Sequence, residues 1–332
     1  MKILVTGSAG HLGEALMRGL RETPHEAVGI DRLASPFTTH VGSIVDRAFV
    51  ARAMRGVDAV LHAATLHKPH VATHTKQAFI DTNLTGTLNL LEEAAAAQVG
   101  AFVFTSTTST FGDAMSPPPG APAVWVDEAL QPIPKNIYGA TKLAAEDLCA
   151  VFHRQHGLPC VVLRTSRFFP ERDDHRDTRE RYAPANVQVN ELLNRRVDIA
   201  DVFSAQLRAV ERAAQIGFGR YVVSATSPFT RDDLPALRDA LPEIVARHVP
   251  QYAAAYRQRG WAMWGGIDRV YVNTKARDEL GWRPQHDFAS AIEALLAGGD
   301  HRSALARQVG SKGYHATTFA DGPYPVEPEP CT

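Results

Sequence analysis

The chain has 332 residues, 45% of them hydrophobic and 21% charged, and a formal net charge of -1. That is the composition of an ordinary globular protein, long enough for one large domain or a core with a smaller lobe. It lacks the basic excess that a nucleic-acid or anionic-membrane partner would call for, and no apolar run approaches the roughly 20 residues of a membrane-spanning helix. Neither nucleic acid nor membrane is therefore expected as a partner. The cysteines Cys149, Cys160 and Cys331 are too few and too odd in number for a disulfide framework. Residues 1–5 lead straight into an apolar strand without the layout of a signal peptide, so a cytoplasmic location is expected.

In chain order, residues 2–6 read as a strand that runs into Thr6-Gly7-Ser8-Ala9-Gly10-His11-Leu12-Gly13. Residues 11–22 follow as a helix, with Leu12, Ala15, Leu16 and Leu20 on one face. Glycines at 7, 10 and 13 between a strand and a helix allow a tight turn and a close backbone approach to a pyrophosphate. The helix start supplies unpaired N–H groups for its charge. His11 and Leu12 belong to the same loop. Residues 26–31 are the second strand, and Asp31 at its end stands where a carboxylate accepts hydrogen bonds from an adenosine ribose. Such a carboxylate repels a 2′-phosphate, which favours NAD over NADP, although Arg32 beside it could tolerate the phosphate. Residues 58–63 are a further strand. After it come Lys68 and His67, His70 and His74. Their spacing is loose for a metal site and no metal is expected; Lys68 could meet an anionic substrate at the mouth of the site.

A continuous helix is expected over 76–98, a strand over 101–106, a helix over 137–156 and a strand over 159–165. Near-continuous apolar strands alternating with helices indicate a doubly wound parallel α/β sheet covered on both faces. Ligands of such sheets bind beyond the carboxyl ends of the strands. There the chain places a run of hydroxyls, Thr105-Ser106-Thr107-Thr108-Ser109-Thr110. Tyr138 and Lys142, four apart at the start of a helix, share one face. A free tyrosine titrates near pH 10, and a neighbouring ammonium favours its phenolate. Lowering that value by about three units needs about 4 kcal/mol of differential stabilisation. The second half is less regular. It holds a mixed charge run at 171–181, a helix over 198–214 and a strand over 220–224 that extends the sheet. Trp261, Trp264 and Trp282 are read as packing residues of a C-terminal lobe. A Pro/Gly-containing, irregular tail is expected over 312–332.

Taken together these motifs resemble the extended, epimerase/dehydratase-like branch of the short-chain dehydrogenase/reductase superfamily. The Thr-Gly-x-x-Gly-x-x-Gly loop, Asp31, His62-Ala63-Ala64, Asp81-Thr82-Asn83, the Ser/Thr strand end, Tyr138/Lys142 and Leu163-Arg164 match it in order. Residues 273–284 look like the ending of nucleotide-sugar epimerases. The resemblance implies a Rossmann-type domain over 1–165, to which 197–226 return, and a smaller C-terminal substrate lobe from 166–196 and 227–311. It also implies Tyr138 as general acid or base, Lys142 as its electrostatic partner and ribose ligand, and Thr107 as the hydroxyl beside it, with Ser106 as the near alternative. Ala63, Ala64 and Thr105 would line the cofactor groove, with Asn83 behind the nicotinamide side. Ser43 stands before Ile44 where the family often has an acid for the adenine. Ser106, Thr107 and Thr108 would face the substrate.

Thr107 is followed by Thr108 and Ser109 rather than by the Asp-Glu pair of the 4,6-dehydratases. Elimination needs its own acid and base, so that reaction is disfavoured. Phe169-Pro170-Glu171 followed by Arg176 is similar to uronate dehydrogenases, in which an arginine at this spacing holds a carboxylate; a solvated charge run is the other reading of Arg176. The expected function is NAD-dependent oxidation of a sugar or sugar-acid hydroxyl. The alternatives are a UDP-sugar 4-epimerase and a non-catalytic dinucleotide-sensing protein. By the same resemblance, the helices at 76–98 and 137–156 would pair two subunits into a homodimer.

Overall fold

The computed structural model describes residues 1–173 and 175–313, so most of the expected tail, and Cys331, lie outside the described residues. Strands β1 (Lys2–Thr6), β2 (Glu26–Asp31), β3 (His40–Val41), β4 (Ala59–His62) and β5 (Ala101–Thr107) are followed by a short β6 (Val124–Val126). Then come β7 (Cys160–Thr165), β8 (Phe218–Val223) and β9 (Arg269–Tyr271). Among the described residues, seven of these form one sheet in the order β3-β2-β1-β4-β5-β7-β8, every pair parallel. The chain works outward from β1 to β3, then returns to β1's other side with β4. The switch point therefore falls between β1 and β4, where Thr6 lies opposite His62. A sheet of this kind opens its ligand crevice there.

Strand alternation builds two cores. Ile3, Val5, Leu61, Val103 and Leu163 face the helices His11–Arg21 and Ile199–Ile216, which contribute Leu16, Leu20, Val202 and Ala209. Leu4, Val60, Phe102, Phe104 and Val162 face the helices Gly86–Ala96 and Ile137–His156, with Leu90, Leu91, Cys149 and Phe152. Both faces being covered is why these strands are apolar throughout rather than alternating with polar residues.

The expected continuous helix over 76–98 is interrupted. Lys76–Phe79 is α-helical, Ile80–Thr85 is a π-helical turn, and Gly86–Ala96 is α-helical again. Apolar periodicity does not register one wide turn, and such turns recur at functional sites. The two-residue β3 and the helix Arg47–Ala53 were not foreseen, being short and without a clear period.

A third core forms the lobe. Val189, Leu193, Leu237, Leu241, Val245, Ala255, Phe288 and Ile292 pack together, with Ala123 and Val270. Packing groups the chain differently from the sequence in two places. The segment around β6, between β5 and the helix Ile137–His156, joins the lobe by pairing in parallel with β9. Conversely Ala276, Leu280, Trp282 and Val309 join the sheet core. Trp282 is 1% exposed and donates its indole N–H to the Asp201 carbonyl (3.1 Å) and the Ser204 hydroxyl (2.9 Å); Trp261 and Trp264 pack on the lobe.

Candidate active site

At the switch point the chain opens a cleft of about 400 Å³, within the ~300–1,000 Å³ of small-molecule sites. Its floor is the glycine loop. Gly7 has φ +74°, and a Cβ there would fall 2.9 Å from the Ala64 backbone. A Cβ on Gly13 would fall 1.9 Å from the Gly7 carbonyl. Only glycine lets the loop, the following helix and the Ala63-Ala64 backbone come this close. The helix His11–Arg21 has Gly10 as N-cap with no side-chain cap, so the N–H groups of its first turn have no intrahelical acceptor. Gly7, Gly10, His11, Leu12 and Gly13 all line the cleft. The cradle therefore fits a dinucleotide pyrophosphate. Asp31 and Arg32, Ser43 and Ile44, and Ala63 and Ala64 line it as well. Asp31 is already held, accepting from Ala9 N (3.0 Å) and Leu33 N (2.9 Å). The Ser43 hydroxyl accepts from Val45 N (3.2 Å), a local turn rather than a substitute for an acid.

His62 sets the groove wall. Thr6 donates its hydroxyl to His62 Nδ1 (2.7 Å), His62 Nε2 donates to Thr87 Oγ1 (2.9 Å), and Thr87 donates to the Asn83 carbonyl (2.7 Å). Each hydroxyl has one proton, and Thr87 spends its own on Asn83, so the Nε2–H tautomer follows. Burial, and then the charge of Lys142, hold the ring well below its ordinary pKa and so neutral. Ala63 N and Ala64 N donate to Thr6 Oγ1 (3.1 and 3.0 Å), which fixes the groove backbone.

Asn83 sits in the π-helical turn and does not line the cleft. Its Oδ1 accepts from Leu66 N (2.8 Å) and its Nδ2 donates to the Leu66 carbonyl (2.9 Å) and to Thr141 Oγ1 (3.1 Å). It thereby ties the loop after β4 to the helix that carries Tyr138 and Lys142. That helix is capped by Asn136, whose side chain accepts from Gly139 N (3.1 Å).

Tyr138 and Thr107 both line the cleft. Burial pushes Tyr138 up to about 12, against the downward pull of Thr107. Lys142 lies behind the wall, 2% exposed, with Nζ 3.9 Å from the centre of the Phe104 ring. Burial lowers it to about 7, opposed by the charges of Glu146 and Cys149. The expected lowering of the tyrosine by the ammonium is thus not what the protein alone displays: desolvation of the phenol dominates.

Thr105, Ser106, Thr107 and Thr108 all reach the cleft wall. Their hydroxyls differ in use. Thr105 accepts from Gln206 Nε2 (2.7 Å), while Ser106 donates to buried Glu146 (2.5 Å). Glu146 also takes Arg164 (2.7 Å) and Arg220 (3.0 Å). Thr107, not Ser106, is therefore the hydroxyl beside the tyrosine.

Lys68 lines the cleft; Arg176 does not. It lies on the short helix Arg176–Arg181, its side chain 72% exposed and paired with Glu180 at 2.7 Å. Arginines that sequence reasoning missed also line the cleft: Arg167, Arg195 and Arg269, together with Tyr271. Glu191, fully buried, meets Arg167 (3.7 Å), Arg195 (3.0 Å) and Arg196 (2.6 Å). Burial works to raise its carboxyl, but Arg196, Arg195 and Arg167 outweigh it and hold the pKa below the ordinary value. Arg195 also pairs with Asp173 (2.8 Å) and Arg269 with Asp268 (2.9 Å). Arg167 follows β7, Arg195 lies in the turn after the helix Pro184–Glu191 and Arg269 opens β9; they are far apart in sequence, and no local motif marks them. Among the described residues, no group of three His, Cys, Asp or Glu side chains is arranged to hold a metal ion, and no helix is long and apolar enough to cross a membrane.

The glycine cradle at the switch point of a parallel sheet, with a cleft-lining tyrosine four residues before a buried lysine, defines an enzyme of the short-chain dehydrogenase/reductase type. The chain belongs to the NAD dependent epimerase/dehydratase family, whose profile matches residues 3–223, and NAD is its cofactor. Over 88% of its length it is 28% identical to a UDP-glucose 4-epimerase of Rhizobium leguminosarum bv. trifolii, covering 95% of that protein. Over 89% it is 31% identical to a dTDP-glucose 4,6-dehydratase of Streptomyces antibioticus, covering 91% of it. Among solved structures, a short-chain dehydrogenase/reductase superfamily protein from Agrobacterium tumefaciens with bound NAD superposes with a TM-score of 0.63 at 25% identity, covering 93% of this chain and 98% of that one.

Proposed function

We propose that the protein oxidises a secondary hydroxyl of an anionic sugar or sugar acid, with Tyr138 as the proton acceptor. The observation that carries this reading is that Tyr138 and Thr107, at the carboxyl end of β5, line one cleft together with the glycine loop. Bound NAD supplies the hydride acceptor. Thr107 and Tyr138 hold the substrate oxygen, and Tyr138 takes the hydroxyl proton as the carbonyl forms. Lys142, four residues on, favours the phenolate electrostatically and would hold the ribose. Gly7, Gly10 and Gly13 seat the pyrophosphate, and Asp31 accepts from the adenosine ribose.

The charge of the cleft supports an anionic substrate. Among the described residues its charged lining side chains are Arg32, Lys68, Arg167, Arg195 and Arg269 against Asp31 alone. A carboxylate or phosphate in the cleft would meet this positive lining, and a guanidinium suits either.

A second reading, UDP-sugar 4-epimerisation, is favoured by the relatives, of which the epimerase above is matched over nearly its full length. It shares the first step, and the hydride then returns to the other face of the keto sugar. One experiment separates them: the purified protein is denatured, released nucleotide is identified, and the protein is assayed with uronates, aldonates and UDP-sugars. Reversible binding of added NAD, with reduced cofactor accumulating on a sugar acid, supports the dehydrogenase. Stoichiometric bound NAD, with interconversion of UDP-sugars and no net reduction, replaces it by the epimerase. No turnover on any of them overturns both.

A further inference from the structure

Four aromatic rings in the cleft wall have no part in the chemistry above. Phe168 and Phe169 follow β7 directly, their ring centres 4.3 Å apart. His11, the first residue of the glycine-loop helix, stacks on Phe168 at 6.0 Å and meets Phe169 at 5.5 Å. His67, from the loop after β4, meets Phe169 at 5.4 Å. The rings join the segments that follow β1, β4 and β7, all of which line the cleft.

Glu171 stands two residues beyond this pair and is 9% exposed. Its Oε1 accepts from Ser311 Oγ (2.9 Å), Lys312 N (3.2 Å) and Gly313 N (3.3 Å). The preceding carbonyl, Gly310, accepts from His11 Nε2 (3.0 Å). Lys312 also pairs with Glu14, on the same helix as His11. Residues 310–313 are therefore stitched to the Phe168–Glu171 segment on one side and to the glycine-loop helix on the other. The connections form a closed circuit from His11 through the strap to Glu171, and through the phenylalanines back to His11. A carboxylate oxygen that gathers three donors from a segment about 140 residues away is a specific fastening, because charge-assisted bonds of this kind are the strong ones.

We propose that Glu171 is a positioning residue for cofactor retention. By fastening residues 311–313 it holds the His11–Phe168–Phe169–His67 cluster against the glycine loop, and NAD leaves only when that fastening opens. The inference rests on NAD binding and is independent of the substrate.

The test is the dissociation rate of NADH from the full-length protein, followed by its fluorescence on displacement with excess NAD, alongside the melting temperature of the nucleotide-free protein. Glu171→Ala is expected to speed release about tenfold, the equivalent of one net charge-assisted hydrogen bond. Glu171→Gln, which keeps an acceptor oxygen, is expected to recover part of it. Ser311→Ala combined with Lys312→Glu leaves Glu171 in place, alters only the strap, and is expected to speed release in the same direction. A lower melting temperature with an unchanged dissociation rate overturns the proposal, because Glu171 then serves the fold alone. Should Glu171→Ala not fold, the strap variant decides, and an unchanged rate in it overturns the proposal.

Discussion

Tyr138 and Lys142 are set in opposite directions by the same cause. Burial penalises a charge of either sign, so it lifts the phenol to about 12 and brings the ammonium down to about 7. In the protein alone the phenol is thus held protonated, and a bound positive nicotinamide ring would favour its phenolate. Removing its hydroxyl in Tyr138→Phe is expected to lower turnover by roughly 10²–10⁴-fold, the usual worth of a positioned acid–base group. NAD affinity measured by calorimetry should stay within a few-fold; full activity in that variant would refute the assignment. Lys142 carries a second consequence. Its folded pKa, about 7, lies below its unfolded value of about 10.4. Between those values the unfolded chain binds the extra proton, so this residue's contribution makes stability rise with pH. Its cost is present in full below pH ~7 and is relieved as pH climbs toward ~10. Lys142→Met should therefore be stabilising relative to the parent at pH 6, with the advantage shrinking toward pH 10. Paired melting curves across that range check it, and an advantage independent of pH would contradict it.

At the scale of elements, the π-helical turn Ile80–Thr85 and the helix Pro184–Glu191 do the positioning. The turn brings Asn83 against Leu66 and Thr141. Without that amide, the Leu66 N–H loses its acceptor, while the Leu66 carbonyl keeps the Thr65 hydroxyl (2.9 Å); a buried group left unsatisfied costs ~1–3 kcal/mol. Asn83→Leu should thus cost about 1–3 kcal/mol in urea unfolding and weaken NAD binding, since the loop it holds lines the cleft. A loss of stability without any change in NAD affinity would make the turn a purely structural device. Glu191 closes its helix with no exposure and three arginines around it. Breaking such a centre leaves buried cations uncompensated, at about 3–5 kcal/mol. Glu191→Ala should lose stability by that amount, and a value under about 1 kcal/mol would show that solvent already screens the cluster. The hydroxyl run after β5 was visible in sequence, but the division of labour within it was not. Which of Ser106 and Thr107 is left for Tyr138 depends on Glu146, farther along the tyrosine's own helix, claiming the serine.

For the whole molecule, one cleft joins the sheet's switch point to a lobe that assembles from separated stretches of chain. The sequence resemblance implies that the helices Gly86–Ala96 and Ile137–His156, side by side on one face of the sheet, meet their counterparts in a second subunit. Light scattering of the full chain is expected to give twice the chain mass of 36.2 kDa, and a monomeric mass at working concentration would exclude that arrangement. The positive character of the cleft belongs to this scale too. Arg269 on β9 and Arg195 in the turn after the helix Pro184–Glu191 reach the glycine-loop cleft only because β9 pairs with β6 and the lobe packs beside the sheet.

The sequence by itself determined the parallel sheet, the glycine cradle, Asp31, and the Tyr138/Lys142 pair with its strand-end hydroxyls. Those depend on local spacing: strand apolarity, a four-residue helical repeat, and glycines where no side chain fits. Tertiary structure alone decided which hydroxyl is left for the tyrosine and which arginines line the cleft. It also decided that Arg176 stays on an exposed helix, that a π-helical turn interrupts 76–98, and that residues 310–313 are fastened to Glu171. Each of these follows from contacts between segments tens to hundreds of residues apart, where burial and charge compensation, rather than local periodicity, choose the partner.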